Sequence, residues 1–219
     1  MAQRPSLTSR NIDAFSSRPV ARSKLILDHI IFLQEATPDV RAALLDDARV
    51  RAAFLVTDAE DQTSFEGVSF ATMTLLSSAR FASGTESQKE GDGIGAGGRF
   101  MLGSVSRVTL PSKYKRDGLY VEIIPPTAPP GTVFRLVSVH LDSLGDTLPF
   151  RPQQMKMLAD VCASPDAVVG SLQATLTHRP EDEGLVDKND LVDAWVALLG
   201  SAGLVELRGV LACNGGTTD

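Results

Sequence analysis

The stretch Ile30-Ile31-Phe32-Leu33-Gln34-Glu35 decides the fold class of this 219-residue chain. Its four apolar residues are mostly β-branched or aromatic, a pattern typical of a strand buried on both faces in the middle of an α/β sheet. A carboxylate follows directly at the end of this run. We expect Glu35 either to face solvent or to lie at a cleft above the sheet, where its oxygens can bind a hard cation.

Composition and charge limit the class of protein. The chain is 43% hydrophobic and 22% charged, as expected for a single globular domain over residues 1–219. Its net charge of -6 argues against a broad non-specific nucleic-acid surface, because such a surface needs clustered Lys and Arg. Cys162 and Cys213 are too few for a disulfide framework, and no segment is long enough to span a bilayer. We expect a soluble, monomeric, intracellular protein of the cytoplasm or nucleus.

A second apolar strand also ends in polar groups. Residues 133–139 alternate in hydrophobicity and then lead into His140-Leu141-Asp142-Ser143. Residues 118–124 predict its neighbour in the sheet, and the one dense basic cluster of the chain, Lys113-Tyr114-Lys115-Arg116-Asp117, precedes that neighbour. Two strands that end in groups able to handle protons or metal would build a site if they meet at one edge of a sheet.

The remaining pattern predicts alternating strands and helices. Pro38 favours a helix start, with an apolar face formed by Val40, Leu44, Leu45 and Ala48. Further predicted elements are a short first strand over residues 6–12, a helix over 17–29, strands over 53–57, 68–76 and 99–110, a Gly-rich loop over 83–98, and an amphipathic helix over 190–199 that is capped by Asn189 and carries Trp195 into the core.

Three short motifs occur in an order and spacing that resemble a known superfamily. They are Asn11-Ile12-Asp13, Leu33-Gln34-Glu35 and Val139-His140-Leu141-Asp142-Ser143, supported by Phe150-Arg151-Pro152-Gln153-Gln154-Met155 and by residues 184–195. Together they resemble the endonuclease/exonuclease/phosphatase superfamily, and most of all fungal proteins related to tyrosyl-DNA phosphodiesterase 2. The resemblance extends from about Thr8 to Gly203.

This resemblance implies an α/β fold of the DNase I-like type, a four-layer α/β/β/α sandwich with a metal-dependent phosphodiesterase site at one end. It implies that Glu35 binds Mg²⁺ or Mn²⁺, that Asn11 donates a hydrogen bond to the scissile phosphate, and that His140 supports the reaction by hydrogen bonding or proton handling. Arg116 and Arg151 are expected to contact phosphate. The implied partner is a phosphoester: a nucleic-acid end, a protein-DNA adduct or a small phosphodiester.

The chain departs from the family pattern at one central motif. The family has Gly-Asp-Phe-Asn-Ala on the strand after the helix that follows His140, whereas this chain has Gly170-Ser171-Leu172-Gln173-Ala174. A Ser hydroxyl cannot replace a carboxylate as a general base near neutral pH, so we expect impaired hydrolysis. The late Asp-His pair of the family is also missing, and we expect the fold to be incomplete after about residue 203.

A change of reading frame would account for both departures. Codons permitted for Gln173 to His178 encode Gly-Asp-Phe-Asn-Ala when read two bases later, and the same shift turns residues 204–219 into a likeness of the family sequence. We therefore hypothesise that residues 162–179 and the tail from Leu204 are translated out of frame. The nucleotide sequence tests this directly.

Two other classes of protein are compatible with these residues. A non-catalytic binding protein on the same fold would explain Ser171 and Gln173 if the sequence is genuine. An unrelated α/β domain would have Glu35 and His140 as separate surface residues. Turnover of a phosphodiester that depends on Mg²⁺ distinguishes the enzyme from the binding protein.

Overall fold

A computed structural model of the chain describes residues 7–11, 30–83, 98–126, 129–163, 169–174, 184–185, 187–189, 191–193 and 210–213. Strands and helices follow one another as the α/β pattern predicts. They are β1 (Leu7–Asn11), β2 (Ile30–Ala36), α1 (Pro38–Asp46), α2 (Ala48–Ala53), β3 (Phe54–Val56), β4 (Ala71–Ser77), β5 (Phe81–Ser83), β6 (Phe100–Thr109), β7 (Asp117–Ile124), β8 (Phe134–Val139), α3 (Arg151–Cys162), β9 (Val169–Ala174), β10 (Leu191–Asp193) and β11 (Val210–Cys213).

Two compact units make up the chain. The first unit contains Met1–Val105 and Ile123–Pro130, and the second contains Ser106–Glu122 and Gly131–Asp219. A single domain over residues 1–219 stays a prediction. Within the described ranges, none of the helices has the length and apolar character needed to cross a membrane.

The first unit is organised around a four-stranded sheet with the order β1-β2-β4-β3. β2 runs parallel to β1 and antiparallel to β4. Ile31 and Leu33 are fully buried in the core of this unit, and Ile30 and Phe32, on the other face of the strand, are buried as well. The predicted central strand, with both faces buried, is therefore confirmed.

Two short helices, α1 and α2, follow β2. The Thr37 hydroxyl accepts a hydrogen bond from the Val40 backbone N–H at 3.2 Å and caps α1, which begins at Pro38 as predicted. α1 ends at Asp46. The next residue, Asp47, has an extended backbone, and its carboxylate accepts from the Arg49 N–H at 2.9 Å to cap α2. Ala48 therefore starts a new helix and is exposed, so its predicted place on the apolar face is wrong.

The second sheet has the order β10-β11-β9-β8-β7-β6-β5. Within the second unit, β8 and β9 are parallel neighbours, with Phe134 opposite Val169 and Val139 opposite Ala174. β7 lies on the other side of β8, so the predicted pairing of these two strands is confirmed.

Helix α3 packs on the strands of the second unit. Met155 and Leu158 are fully buried and share a hydrophobic cluster with Val137 and Val139 of β8. Gly118 permits this close packing, because a Cβ added there would lie 2.6 Å from the Leu158 side chain. Cys162, at the end of the helix, is a buried free thiol.

One predicted helix is replaced by a strand. Leu191–Asp193 forms β10, which pairs antiparallel with β11, instead of the first turn of a helix over residues 190–199. Asn189 does not cap a helix there, because Leu191–Asp193 is a strand, and its side-chain amide donates to the Leu185 carbonyl at 2.7 Å. The predicted helix over 17–29, most of the Gly-rich loop and Trp195 lie outside the described residues.

Candidate functional site

Glu35 lies at an irregularity near the end of β2. Leu33 pairs with Met73 and Ala36 with Ala71, so three residue steps on β2 oppose two steps on β4, and β2 carries one extra residue. Glu35 has φ +56°, in the left-handed region that residues with a Cβ rarely adopt. β-Bulges of this kind redirect side chains and are frequent beside active sites. The bulge leaves Glu35 half-buried between the buried residues Gln34 and Ala36.

Asn11 is brought to the same end of the sheet. β1 and β2 are parallel, and their register places Asn11 opposite Gln34, one residue before Glu35. Both residues thus stand at the carboxyl ends of neighbouring parallel strands, where α/β proteins commonly build their sites. The backbone supports the predicted proximity of Asn11 and Glu35 within the first unit.

The predicted metal-binding role of Glu35 is chemically suitable for Mg²⁺. This ion is commonly bound through one or two protein carboxylates, together with water and substrate oxygens, and does not need a cage of protein ligands. In the described part of the chain there is no group of three or more His, Cys, Asp and Glu side chains able to hold a metal ion. Glu35 can therefore supply one carboxylate ligand to Mg²⁺. The other ligands would be water and substrate oxygens.

His140, Arg116 and Arg151 belong to the second unit. His140 follows directly after β8 and is 7% exposed, so its ring is packed against protein on most sides. Arg116, just before β7, has its Nη1 atom 3.3 Å from His140 Nδ1. Two of the predicted site residues, His140 and Arg116, are therefore in direct contact.

A buried carboxylate, Asp142, joins the groups around His140. The Asp142 side chain is inaccessible to solvent, and its Oδ1 accepts a hydrogen bond from the Ser112 hydroxyl at 2.9 Å. Its Oδ2 accepts from Gln154 Nε2 at 3.0 Å, and its backbone N–H donates to Gln154 Oε1 at 3.2 Å. The Arg116 Nε atom lies 4.0 Å from Asp142 Oδ1, within ion-pair range. We call these residues, Ser112, Arg116, Asp142 and Gln154, the Asp142 network.

Arg151 has a supporting position in the same unit. Its side chain is 0% exposed, and its Nη1 donates to the Asp142 carbonyl oxygen at 3.2 Å. A substrate phosphate does not reach a fully buried guanidinium in this conformation. The observed contact supports a positioning role for Arg151, and the predicted phosphate contact stays a prediction.

The basic cluster before β7 is partly neutralised by acidic partners. Lys113 forms an ion pair with Asp146 at 2.7 Å, and the hydrogen bond from Lys113 lowers the pKa of the Asp146 carboxyl and raises that of the Lys113 amine. Lys115 has φ +53°, so the loop that delivers Arg116 also contains a left-handed residue. This loop is therefore constrained, and its charge is not a free basic surface.

β9 carries the residues that replace the family's Gly-Asp-Phe-Asn-Ala motif. Ser171 is paired with Leu136 and Gln173 with Ser138, so both lie on the strand directly beside β8, which ends at His140. β9 is the strand that follows α3 in the chain. The backbone position that the family gives to a carboxylate is therefore present here with a Ser.

The sequence reasoning missed the Asp142 network. Ser112 and Gln154 lie 30 and 12 residues from Asp142 along the chain, so the motif that contains Asp142 includes neither of them. The only available signal was the run Phe150–Met155, which contains Gln154 and was quoted for the resemblance. Polar contacts over such separations are not encoded in any local pattern.

Comparison with solved structures identifies the fold. A D. rerio TDP2 humanised by 14 mutations is 18% identical, with a TM-score of 0.63, and the match covers 98% of this chain and 84% of that chain. D. rerio TDP2 in complex with a single-strand DNA product is 16% identical, with a TM-score of 0.61 and coverage of 96% and 81%. The catalytic domain of human Nocturnin with bound sulfate is 13% identical, with a TM-score of 0.57 and coverage of 92% and 77%.

The likeness to known proteins is found by comparing structures and not by comparing sequences. No protein-family model matches the chain, and no curated protein does. The solved structures nevertheless match over almost the whole chain, and the two sheets agree with the predicted α/β class. The chain therefore has a DNase I-like α/β fold, similar to the fold of the TDP2 and Nocturnin structures.

Proposed function

We propose that this protein binds phosphodiesters and hydrolyses them with the help of a divalent cation, Mg²⁺ or Mn²⁺. The observation that carries the proposal is Glu35, a carboxylate at φ +56° in a β-bulge, at the end of a strand whose other residues are buried. A left-handed conformation costs a residue with a Cβ on the order of 1–3 kcal/mol, and such costs cluster at functional sites. No structural need of the core requires a carboxylate at this position.

Glu35 is the residue that would hold the cation. When bound, a divalent cation polarises phosphoryl oxygens and neutralises charge on the leaving group. Asn11, at the end of the neighbouring strand, would orient the substrate by donating a hydrogen bond to a phosphate oxygen. His140 and Arg116 would donate hydrogen bonds to the phosphate, and Arg151 would position the segment that carries Asp142.

Slow turnover is expected from the sequence of β9. Water must lose a proton to attack phosphorus, and a positioned carboxylate suits that task, whereas the hydroxyl of Ser171 is too weak a base. A second candidate function follows from this: a protein that binds phosphoesters without cleaving them. The replacement of Asp by Ser171 and of Asn by Gln173 on β9 favours it.

A nucleic-acid end is the substrate we favour. One of the TDP2 structures is a complex with a single-strand DNA product, and that protein shares the fold of this chain. The net charge of -6 disfavours tracking along a long duplex, so recognition of an end or of a small phosphodiester is more consistent with it. We place the protein inside the cell, in cytoplasm or nucleus, as a monomer.

The test measures binding and turnover separately. A labelled single-stranded oligonucleotide reports binding by fluorescence anisotropy, and bis(p-nitrophenyl) phosphate reports turnover with Mg²⁺ and with EDTA. We expect turnover only with the cation, and Glu35→Gln should lower it by roughly 10²-fold, because an electrostatic contribution to the transition state is lost. Glu60→Gln, at an exposed position, is the matched control and should leave turnover unchanged.

The outcomes separate the two candidates. Oligonucleotide binding without cation-dependent turnover would support the binding protein. Turnover that persists in EDTA, or that is equal in Glu35→Gln and Glu60→Gln, would contradict a metal-dependent role for Glu35. Absence of both binding and turnover would contradict the whole proposal.

A further inference from the structure

The contact between Arg116 and His140 can be a hydrogen bond in one direction only, with Arg116 as the donor. A guanidinium has five N–H donors and no acceptor, and it stays charged at any pH at which the protein is folded. The atoms in contact are Arg116 Nη1 and His140 Nδ1, 3.3 Å apart. The hydrogen bond can form only if Arg116 donates and Nδ1 accepts through its lone pair, so Nδ1 carries no proton.

We infer that His140 is held as a neutral imidazole with its single proton on Nε2, and that Arg116 is the positioning residue that selects this tautomer. A neutral imidazole has one N–H, which must be on Nε2 if Nδ1 accepts. The other neutral tautomer would point an N–H at the N–H of Arg116. The imidazolium would in addition bring a second positive charge next to the guanidinium.

Burial strengthens this selection. His140 is 7% exposed and the Arg116 side chain 15%, so water screens little of the repulsion that a charged ring would meet. The carboxylate of Asp142 lies 4.0 Å from the guanidinium Nε of Arg116. Its negative charge is thus directed at Arg116 and balances the cation that faces the ring.

The Asp142 network also fixes the carboxylate that faces Arg116. Asp142 is held on one oxygen by Ser112 at 2.9 Å and on the other by Gln154 at 3.0 Å. Gln154 is itself anchored, because its Nε2 donates to the Pro111 carbonyl at 2.8 Å. The order of contacts therefore runs from the anchored Gln154 through Asp142 and Arg116 to Nδ1 of His140.

This tautomer narrows the role of His140. With Nδ1 accepting from Arg116 and the single ring proton on Nε2, the ring has no lone pair with which to remove a proton from water. His140 is then a hydrogen-bond donor to substrate and not a general base. This last step rests on the proposed function, whereas the tautomer is a property of the free protein.

Nuclear magnetic resonance of ¹⁵N-labelled histidine tests the inference on the intact chain. The chain has 3 His residues, and His140→Gln assigns the signals of His140 by their loss. In long-range ¹H–¹⁵N spectra near neutral pH, we expect Nδ1 at the shift of an unprotonated ring nitrogen and Nε2 at that of a protonated one. A proton on Nδ1, alone or together with Nε2, would overturn the inference.

Three variants test Arg116 as the selector. Arg116→Met removes the donor and should move both ring nitrogens to intermediate shifts, whereas Arg116→Lys keeps a donor and should restore part of the wild-type pattern. Arg107→Gln is the control: Arg107 pairs with Asp117 at 2.7 Å, and the His140 signals should not move. Unchanged signals in Arg116→Met would overturn the role of Arg116. If Arg116→Met does not fold, the wild-type spectrum still decides the tautomer.

Failure of the tautomer and failure of the proposed function give different results. The expected His140 spectrum together with no binding or turnover of phosphoesters would support the inferred tautomer and contradict the proposed function. Phosphoester turnover together with a proton on His140 Nδ1 would support the proposed function and contradict the inferred tautomer.

Discussion

The two units place their polar groups by different physical means. In the first unit, Glu35 is directed by the backbone: an extra residue in β2 and a left-handed φ of +56° set its position. In the second unit, His140 is directed by side chains: Arg116 contacts its ring, and the carboxylate of Asp142, which is hydrogen-bonded to Gln154, lies 4.0 Å from Arg116. Because the backbone sets the position of Glu35, a substitution there removes the carboxylate and leaves the bulge in place. A substitution in the Asp142 network disturbs the position and leaves the group intact.

The largest effect is expected from adding the missing carboxylate to β9. Ser171→Asp combined with Gln173→Asn supplies the general base and the amide that the family has on this strand. General base catalysis contributes typically 10²–10⁴-fold, so we expect phosphodiester turnover to rise by roughly that factor. Initial rates with saturating Mg²⁺ measure it.

Ser171→Asn with Gln173→Asn is the control for the double variant. It has nearly the same shape without the carboxylate and should give no gain. Equal rates in the two variants would show that the base is not what limits this chain, and would favour the binding protein.

The next largest effect tests the Asp142 network as a support. Gln154→Ala removes three hydrogen bonds and leaves the Pro111 carbonyl and a buried carboxylate less well satisfied. Leaving such groups unpaired costs about 1–3 kcal/mol, so the free energy of unfolding should fall by that amount. Urea denaturation monitored by circular dichroism measures the change.

Gln153 on the same helix provides the matched control for Gln154. It is exposed, and Gln153→Ala should change the free energy of unfolding very little. If both variants lose the same stability, the network does not support the second unit, and the contrast between backbone and side-chain placement is wrong.

A smaller effect tests the strain at Glu35. Glycine adopts positive φ without a Cβ penalty, so Glu35→Gly should raise the free energy of unfolding by about 0.5–1 kcal/mol while the proposed function is lost. Lys115, at φ +53°, should respond in the same direction to Lys115→Gly. Glu66 has φ -76°, and Glu66→Gly should instead be destabilising. A loss of stability in both Glu35→Gly and Lys115→Gly would mean that neither backbone is strained.

The smallest effect concerns the exposed ion pair of Lys113 with Asp146. The pKa of Asp146 is lowered from its ordinary value of 3.8, so its stabilising contribution is complete above that value and is lost as the pH falls through the lowered pKa. The pKa of Lys113 is raised from 10.5, so its contribution is lost as the pH rises through the raised pKa. Between these limits Asp146→Asn should have a slightly lower melting temperature than wild type.

This difference in melting temperature should shrink in strong acid and in high salt, since exposed pairs are screened. Glu60→Gln, at an exposed position, controls for the loss of one surface charge. A difference at Asp146 that grows as the pH falls would have the wrong sign and would contradict the assignment.

The sequence predicted the elements that depend on local pattern. The buried strand β2, the helix start at Pro38 and the pairing of β7 with β8 follow from apolar runs, a fixed proline φ and turn residues. The helix expected from residue 190 was wrong, because Leu191–Asp193 pairs with a distant strand, and pairing between distant segments overrides local periodicity.

The site was only partly predictable for the same physical reason. Glu35 and His140 were predicted as candidates because each follows an apolar strand. The left-handed φ of Glu35 depends on how β2 pairs with β4, about 40 residues later in the chain, and Ser112 meets Asp142 only through the fold. The candidate residues were visible in the sequence, whereas the contacts and backbone geometry that orient them were not.

The extra residue in β2 also changes which side chains enter the core. Ile31 and Leu33 share the core of the first unit with Ala36, so the alternation of the strand shifts by one position between Leu33 and Ala36. Without that shift, regular alternation would send Glu35 into the hydrophobic core and Ala36 out of it. The extra residue is therefore what keeps the Glu35 carboxylate out of the hydrophobic core. Deletion of Gln34 would remove the extra residue and make the strand regular, and its apolar contacts would be kept. Glu35 would then take the position of Gln34 and lose the bulge that sets its present orientation.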